Sequence, residues 1–339
     1  MPFDRSPTPG SSSDRLPDRA SEPEILVGPF ADGHPPPRPV RPRFQHRYRV
    51  HAAWFLATLL TTTVVGVSHY AAFLQGFDAR PVRLGFWPLV WSGFWYSGTL
   101  LFILGAHELG HYVMCRVHRV DATLPYFLPA PLPLTGTVGA FIKIREAFPG
   151  KAQLFDIGVG GPIAGFLALV PALVAGLALS TLEPLPEHFE GLSLGEPLLF
   201  RLTSWLVFGP IPDGYSINLH PMGFAAWFGL IATALNLMPF GQLDGGHIVY
   251  ALLGRRAALV SLLTLVAAIL LTFVSTSWAV VTVMLLVMAL TVGVRHPRIP
   301  DESLPLDRAR LVIAVAALAM LALCFTPAPI EPYELIGQP

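Results

Sequence analysis

Long, nearly uncharged runs of apolar residues alternate with short polar segments along most of this chain. Seven such runs follow residue 49, at about 50–73, 85–117, 157–182, 221–238, 257–274, 278–294 and 311–325. Most of them reach the roughly 20 residues that a helix needs to cross a bilayer, and the shorter ones do so with flanking residues. The pattern predicts an all-α polytopic membrane protein with six or seven transmembrane helices.

The composition supports this fold class. Hydrophobic residues make up 53% of the 339 positions and charged residues only 13%, whereas an ordinary soluble domain has about 25% charged residues. The 22 basic and 22 acidic residues cancel, so the chain lacks the positive charge of a typical nucleic-acid-binding protein. We therefore expect no nucleic-acid partner. The two cysteines, Cys115 and Cys324, lie too far apart along the chain to indicate a disulfide framework or a cysteine-based zinc site.

The first 49 residues differ from the rest. They are rich in proline and serine and end in a basic cluster at 41–49, which predicts a disordered, Pro-rich cytoplasmic tail. If the runs alternate sides after it, most Lys and Arg fall on the side of the tail, and a cluster of glutamates at 183–196 falls on the other. We therefore expect a cytoplasmic N-terminus, with residues 256–339 forming additional transmembrane helices and a short C-terminal tail.

Two further segments are neither spans nor simple loops. Residues 123–146 begin with a proline-rich stretch and continue from Gly136 with β-branched, aromatic and glycine residues typical of a short strand or hairpin. Because irregular backbone at membrane depth must be buried in protein or solvated, we interpret this segment as a short re-entrant β element; a loop dipping into the headgroups is the alternative. Residues 197–208 predict an amphipathic or interfacial helix.

The string His107-Glu108-Leu109-Gly110-His111 is the motif that carries chemistry. On a helix, residues i and i+4 share a face, so both imidazoles can bind one metal ion while Glu108 lies beside it as a general base. A bound zinc ion makes water easier to deprotonate near neutral pH. An ionisable glutamate in a long apolar helix is energetically costly, so its presence there in itself indicates a functional site.

A catalytic zinc site needs a third protein ligand. The best candidate is Asp244, because the predicted topology places it on the same side of the membrane as the two histidines. Pro239 and Gly241 would break the helix that precedes Asp244. Such a break would present the Asp244 carboxylate to the histidines. The alternative interpretation is that Asp244 caps the following helix. A glutamate on the next helix is a less obvious third ligand, since Glu146 and Glu183 are poorly placed.

Three segments together resemble the site-2 protease family of intramembrane zinc metalloproteases: His107–His111, Gly160–Gly165 and Asn236–Gly245. The resemblance covers about residues 50–255, the expected intramembrane metalloprotease core. It implies that the chain holds one Zn²⁺, through His107, His111 and Asp244. It also implies that Glu108 is the catalytic base and that Asn236 takes part in catalysis by holding the substrate or the oxyanion.

This chain departs from the family pattern in several places. The asparagine is followed by Leu-Met-Pro, and not directly by proline. The interval 180–220 is too short for the PDZ domain that many members carry, and the residues after 325 are too few for a CBS domain. We therefore expect the compact type without either module. The sequence does not indicate how substrate entry is controlled.

The resemblance implies hydrolysis of peptide bonds in transmembrane segments of other membrane proteins, with the lipid bilayer and a membrane-spanning protein as partners. A bacterial inner membrane is the expected location; the oligomeric state is open. The alternatives are a membrane metal-ion transporter and a proteolytically inactive relative. Outside the motif, we expect Asp156 to cap the third span and both His220 and His247 to be structural or to support the site.

Overall fold

The computed structural model describes residues 47–186, 189, 191–300 and 304–332. The predicted tail lies outside them except for its last three residues, of which Tyr48 and Arg49 begin the first helix. The helices are, in chain order, α1 (Tyr48–Gln75), α2 (Phe86–Ser92), α3 (Phe94–Val117), α4 (Lys151–Ala178), α5 (Leu198–Phe208), α6 (Pro221–Leu237), α7 (Asp244–Leu253), α8 (Ala257–Thr272), α9 (Trp278–Thr291) and α10 (Arg308–Cys324).

Within this part of the chain, four helical stretches are long and apolar enough to cross a membrane: Tyr48–Gln75, Phe86–Val117, Lys151–Ala178 and Asp244–Thr272. The second joins α2 and α3 across Gly93, and the fourth joins α7 and α8 through a short 3-10 turn. Shorter apolar helices follow, including α5, which the sequence predicted as an interfacial helix. The all-helical polytopic class is confirmed, and the number of spans stays a prediction.

Helices α3, α4 and α6 pack against one another and form the centre of the molecule. Glycines permit the closest approach between α3 and α4. A Cβ added to Gly110 would lie 2.3 Å from the carbonyl oxygen of Gly160, which no side chain could tolerate. Small residues allow membrane helices to approach in this way, and Gly160 belongs to the 160–165 stretch that takes part in the resemblance.

A two-stranded antiparallel sheet lies between α3 and α4 in the chain. It consists of β1 (Tyr126–Pro129) and β2 (Thr137–Phe141), paired with a register shift at Leu128/Pro129. The sequence predicted the second strand, but the proline-rich stretch also supplies its partner. Prolines are tolerated in an edge strand at its start, end or bulge, and Pro129 stands where the register shifts.

Side chains from two helices bind the tip of this hairpin. The Tyr96 hydroxyl lies 3.1 Å from the carbonyl oxygens of both Leu134 and Thr135. The Thr61 hydroxyl of α1 donates to the Gly136 carbonyl at 2.7 Å. The Leu134 and Thr135 carbonyls, in the turn beyond the paired strands, need such donors when apolar helices surround them. The hairpin is therefore anchored among the helices by hydrogen bonds.

Two further antiparallel strand pairs join segments that lie between helices or follow the last one. Strand β3 (Thr181–Pro184) pairs with β5 (Tyr215–Asn218), and β4 (Leu192–Leu194) pairs with β6 (Ile330–Pro332). The β4–β6 pair connects the segment before α5 to the segment after α10. It therefore fixes the last described residues against the middle of the chain.

The expected capping role of Asp156 was wrong. Helix α4 begins six residues earlier than the apolar pattern indicates, at Lys151 after Gly150, so Asp156 lies within the helix. Its carboxylate accepts two hydrogen bonds from the Arg310 guanidinium, at 2.6 and 2.8 Å, and lies 2.9 Å from His118 Nε2. Asp156 therefore ties α4 to α10 and to the end of α3.

Candidate metal site

The motif histidines lie in the last turns of α3, on the face that packs against α4. Their Nε2 atoms are 3.0 Å apart, as the spacing of four residues along a helix predicts. Both side chains are buried, at 6% and 7% exposure for His107 and His111. Two imidazole nitrogens brought this close in a buried position indicate a shared ligand or proton.

Asp244 completes a cluster of three ligand groups. Its Oδ2 atom lies 3.2 Å from His107 Nε2 and 3.3 Å from His111 Nε2. Ligand atoms about 2.0–2.1 Å from a tetrahedral zinc ion lie roughly 3.3 Å from one another. The three separations match the edges of such a tetrahedron, so the residues fit zinc. It is the one cluster of this kind among the described residues.

A sharp turn after α6 delivers the Asp244 carboxylate. Helix α6 ends at Leu237, and the chain turns through Gly241, which has a φ of +51°, before α7 begins. Gly245 and Gly246 pack onto the backbone before them, and a Cβ on Gly245 would lie 2.0 Å from the Leu237 carbonyl oxygen. These contacts explain why glycines follow the aspartate.

The capping alternative for Asp244 does not hold. It is the first residue of α7, whose N-cap is Leu243, and no side chain caps that helix end. The carboxylate points instead at the two histidines. The predicted pairing of the two motifs, separated by more than a hundred residues in sequence, is therefore present in the structure.

A backbone carbonyl orients His111. Its Nδ1 lies 2.7 Å from the carbonyl oxygen of Ile157 in α4. A carbonyl only accepts hydrogen bonds, so Nδ1 carries the proton and Nε2 is left with a lone pair. This is the arrangement in which histidine binds a metal. Sequence analysis could not find the role of Ile157, because a backbone carbonyl leaves no side-chain signal.

Helix α4 makes room for the histidines through its glycines. A Cβ on Gly161 would lie 2.1 Å from His111 Nε2, and one on Gly165 would lie 3.0 Å from the His107 Cβ. This stretch is one of the three that carry the resemblance, and Gly160 in it packs closely against Gly110 of α3. The structure shows that its glycines also lie directly against both imidazoles.

A cavity of about 270 Å³ opens onto the cluster. Glu108 lies on its wall, with its side chain buried and within hydrogen-bonding reach of the Ile142 backbone. Strand β2 and the residues after it form another part of the wall, with Ala140, Phe141, Ile142 and Ile144. The candidate base and the re-entrant strand therefore face the same space.

Asn236 also reaches the cluster, from the last turn of α6. Its side-chain Nδ2 lies 3.3 Å from His107 Nε2, and the residue lines the cavity. An amide group at this point can donate a hydrogen bond to an oxygen held beside the histidines. All five residues singled out by the sequence therefore lie together.

The two histidines that the sequence singled out beyond the motif, His220 and His247, have different surroundings. His220 caps α6, where its Nδ1 accepts a hydrogen bond from the Met222 backbone at 3.2 Å, in agreement with a structural role. His247 lines the cavity and its Nδ1 lies 2.9 Å from Nε2 of His296. His296 could not be predicted from the sequence, because it lies 49 residues from His247 and no local pattern connects the two.

Comparison with known proteins extends these findings. The profile of Peptidase family M50 matches residues 95–276, which contain the whole cluster. "Probable zinc metalloprotease EGY1, chloroplastic" from Arabidopsis thaliana is 34% identical over 169 residues, which are 47% of this chain and 29% of that protein. "Probable zinc metallopeptidase EGY3, chloroplastic" from the same plant is 31% identical over 182 residues, 48% of this chain and 30% of that protein.

The similarity is limited to one part of these relatives. The chain aligns with less than a third of their length. No solved structure matches it.

Proposed function

Because the chain belongs to peptidase family M50, the site-2 protease family, we propose that it is a zinc metalloendopeptidase that cuts transmembrane segments of other membrane proteins. One observation carries the proposal: His107, His111 and Asp244 form a zinc-sized cluster with Glu108 on the wall of the same cavity. A metal-ion transporter has no need of the adjacent base and gains no support from the family match.

The chain's own residues divide the chemistry between them. Zn²⁺ held by the cluster would supply Lewis acidity, polarising the scissile carbonyl and easing deprotonation of a water molecule. Glu108 takes the proton from that water and returns it to the leaving amine as the peptide bond breaks. Asn236, beside His107, donates to the oxygen on which negative charge develops.

The substrate segment must unwind before it can be cut, since a helix hides its amides in its own hydrogen bonds. Among the described residues, β2 has a single strand partner, β1, and lies on the cavity wall. An unwound segment could pair with the other edge of β2, next to Glu108, by strand addition. This arrangement would hold the scissile bond near the cluster.

The chain is an integral membrane protein by its helices and its family. We further propose that residues 50–255 form the intramembrane metalloprotease core. We also propose that the N-terminus lies in the cytoplasm, as the distribution of basic residues indicates. The curated relatives are chloroplast proteins and lend no support to a bacterial inner membrane, so that location stays a prediction.

The test begins with substrate trapping. Cells expressing Glu108→Gln should accumulate membrane-protein fragments that wild-type cells remove, and these fragments identify a substrate. Purified wild-type protein and the control Glu196→Gln, altered at an exposed surface ion pair, should both cleave that substrate. The Glu108→Gln variant should retain zinc but leave the substrate uncleaved. Full cleavage by purified Glu108→Gln would disprove the proposed mechanism.

A further inference from the structure

A second cavity, of about 370 Å³, lies beside the metal cavity. Its lining consists of Tyr250, Arg255, Ala258, Arg295, His296 and Arg298. Every charged side chain among these described residues is a guanidinium, and all three guanidiniums are exposed to solvent. The cavity is therefore open, strongly basic and partly aromatic.

Two separate turns bring these arginines together. Arg255 lies in the turn between α7 and α8, after Gly254 with a φ of +58°. Arg295 and Arg298 follow α9, after Gly293 with a φ of +89°. A general excess of arginine on one membrane side explains the sign of these charges, but it does not explain their convergence from two turns on one cavity.

Arginine side chains suit a phosphate ligand for two reasons. Guanidiniums stay protonated in proteins, so Arg295 and Arg298 keep their positive charge at ordinary pH. The fork of donors on arginine also matches the oxygens of a phosphate group in a bidentate manner. The cavity volume accommodates such a group together with several attached atoms.

The two cavities share a wall of two histidines. His296 lines the basic cavity and His247 lines the metal cavity, and their rings are joined by the 2.9 Å contact from Nε2 to Nδ1. Tyr250, which is buried, stacks on His296 with ring centroids 4.3 Å apart. A group bound between the arginines would therefore lie one pair of side chains away from the metal site.

We propose that this basic cavity is a binding site for a phosphate group, carried either by an anionic lipid headgroup or by a free phosphate compound. The proposal does not depend on the proposed proteolysis, because binding can be measured without cleavage. Its central residues are Arg295 and Arg298, which contribute two of the three guanidiniums from one short segment.

The test compares the full-length wild type with the double variant Arg295→Gln/Arg298→Gln and with Arg116→Gln. Arg116 is an exposed arginine at the end of α3 that does not line the cavity, so its loss is a control for net charge. Two probes are titrated against each protein: inorganic phosphate in detergent, and phosphatidylcholine bilayer discs with and without phosphatidylglycerol. Binding is followed by thermal unfolding and by mass spectrometry of retained lipid.

Wild type and Arg116→Gln should bind one of the probes, and the double variant should bind it about tenfold more weakly for each guanidinium removed. Arg298→Lys, which keeps the charge but loses the fork, should fall between them, and provides the comparison if the double variant fails to fold. Retention of phosphatidylglycerol alone would identify the lipid headgroup, and a response to inorganic phosphate would identify a free compound. Equal binding of both probes by wild type and the arginine variants, or no binding by wild type, would overturn the proposal.

Discussion

The backbone of Gly161 lies directly against the imidazole of His111, so that a Cβ at this position would be 2.1 Å from the Nε2 atom. No rotation of the added methyl group relieves such a contact, because a Cβ has a fixed direction from the backbone. His111 cannot simply move away, since its other nitrogen is bound to the Ile157 carbonyl at 2.7 Å. The smallest possible side chain at 161 should therefore displace a metal ligand.

We expect Gly161→Ala to weaken zinc binding by about ten- to a hundredfold, the usual effect of disturbing a group that orients a ligand. Zinc content after dialysis against a graded chelator measures this. Gly98→Ala is the matched control, because a Cβ on Gly98 of α3 has nothing within 4 Å. Unchanged zinc affinity in Gly161→Ala would show that the histidine has room the structure does not indicate.

The second prediction concerns the identity of the third ligand. Asp244→Asn keeps the size of the side chain but removes the charge, and we expect it to bind zinc at least about tenfold more weakly. Glu146→Gln should retain zinc, because the Glu146 carboxylate lies by the Asp121 backbone at 3.3 Å and outside the cluster. Both are measured as bound zinc per chain. Loss of zinc in Glu146→Gln with retention in Asp244→Asn would assign the ligand to the glutamate.

Local patterns made the first half of the site predictable. His107 and His111 are related by one helical period, so their common face follows from the sequence once a helix is assumed. Asp244 required a second step, the alternation of membrane sides, because no local pattern connects it to the histidines. That step succeeded because apolar runs are long and basic residues are unevenly distributed.

The parts that sequence missed depend on contacts between distant segments. The strand β1 was hidden by the prolines around it and by Pro129 within it; proline usually argues against a strand, but Pro129 stands at a bulge. Asp156 was assigned to a helix end because the apolar run starts near it, whereas the helix starts among the polar residues before the run. His296 and the Ile157 carbonyl act through tertiary contacts, which leave no periodic signal.

The third prediction tests the anchoring of the re-entrant hairpin. Tyr96→Phe removes the hydroxyl that lies 3.1 Å from the Leu134 and Thr135 carbonyls. The Thr135 carbonyl then loses its side-chain donor, while the Leu134 carbonyl keeps the contact to His69, so the free energy of unfolding should fall by about 1–3 kcal/mol. Thermal unfolding in detergent measures the change, and protease cleavage within 130–136 should become faster.

Tyr70→Phe is the control for this prediction. Tyr70 lies on α1 and packs against Phe73, and its hydroxyl has no hydrogen-bond partner among the described residues. We expect this substitution to leave both unfolding and protease sensitivity unchanged. If Tyr96→Phe behaves like Tyr70→Phe, the hairpin tip is held by its backbone, by Thr61 and by His69, whose Nε2 lies 3.0 Å from the Leu134 carbonyl oxygen.

The last prediction separates Asn236 from the metal ligands. Its amide lies 3.3 Å from His107 Nε2, close enough to act on the metal site either by binding a reacting oxygen or by orienting the histidine. If it stabilises the oxyanion, Asn236→Ala should lower kcat by about a hundred- to a thousandfold, because that charge exists only in the transition state. Zinc content and KM should change little. If it orients His107 instead, zinc affinity should fall together with kcat, and added zinc should restore part of the activity. Measuring bound zinc and the kcat-to-KM split in one variant therefore distinguishes the two roles, and unchanged kcat would remove Asn236 from the catalytic group.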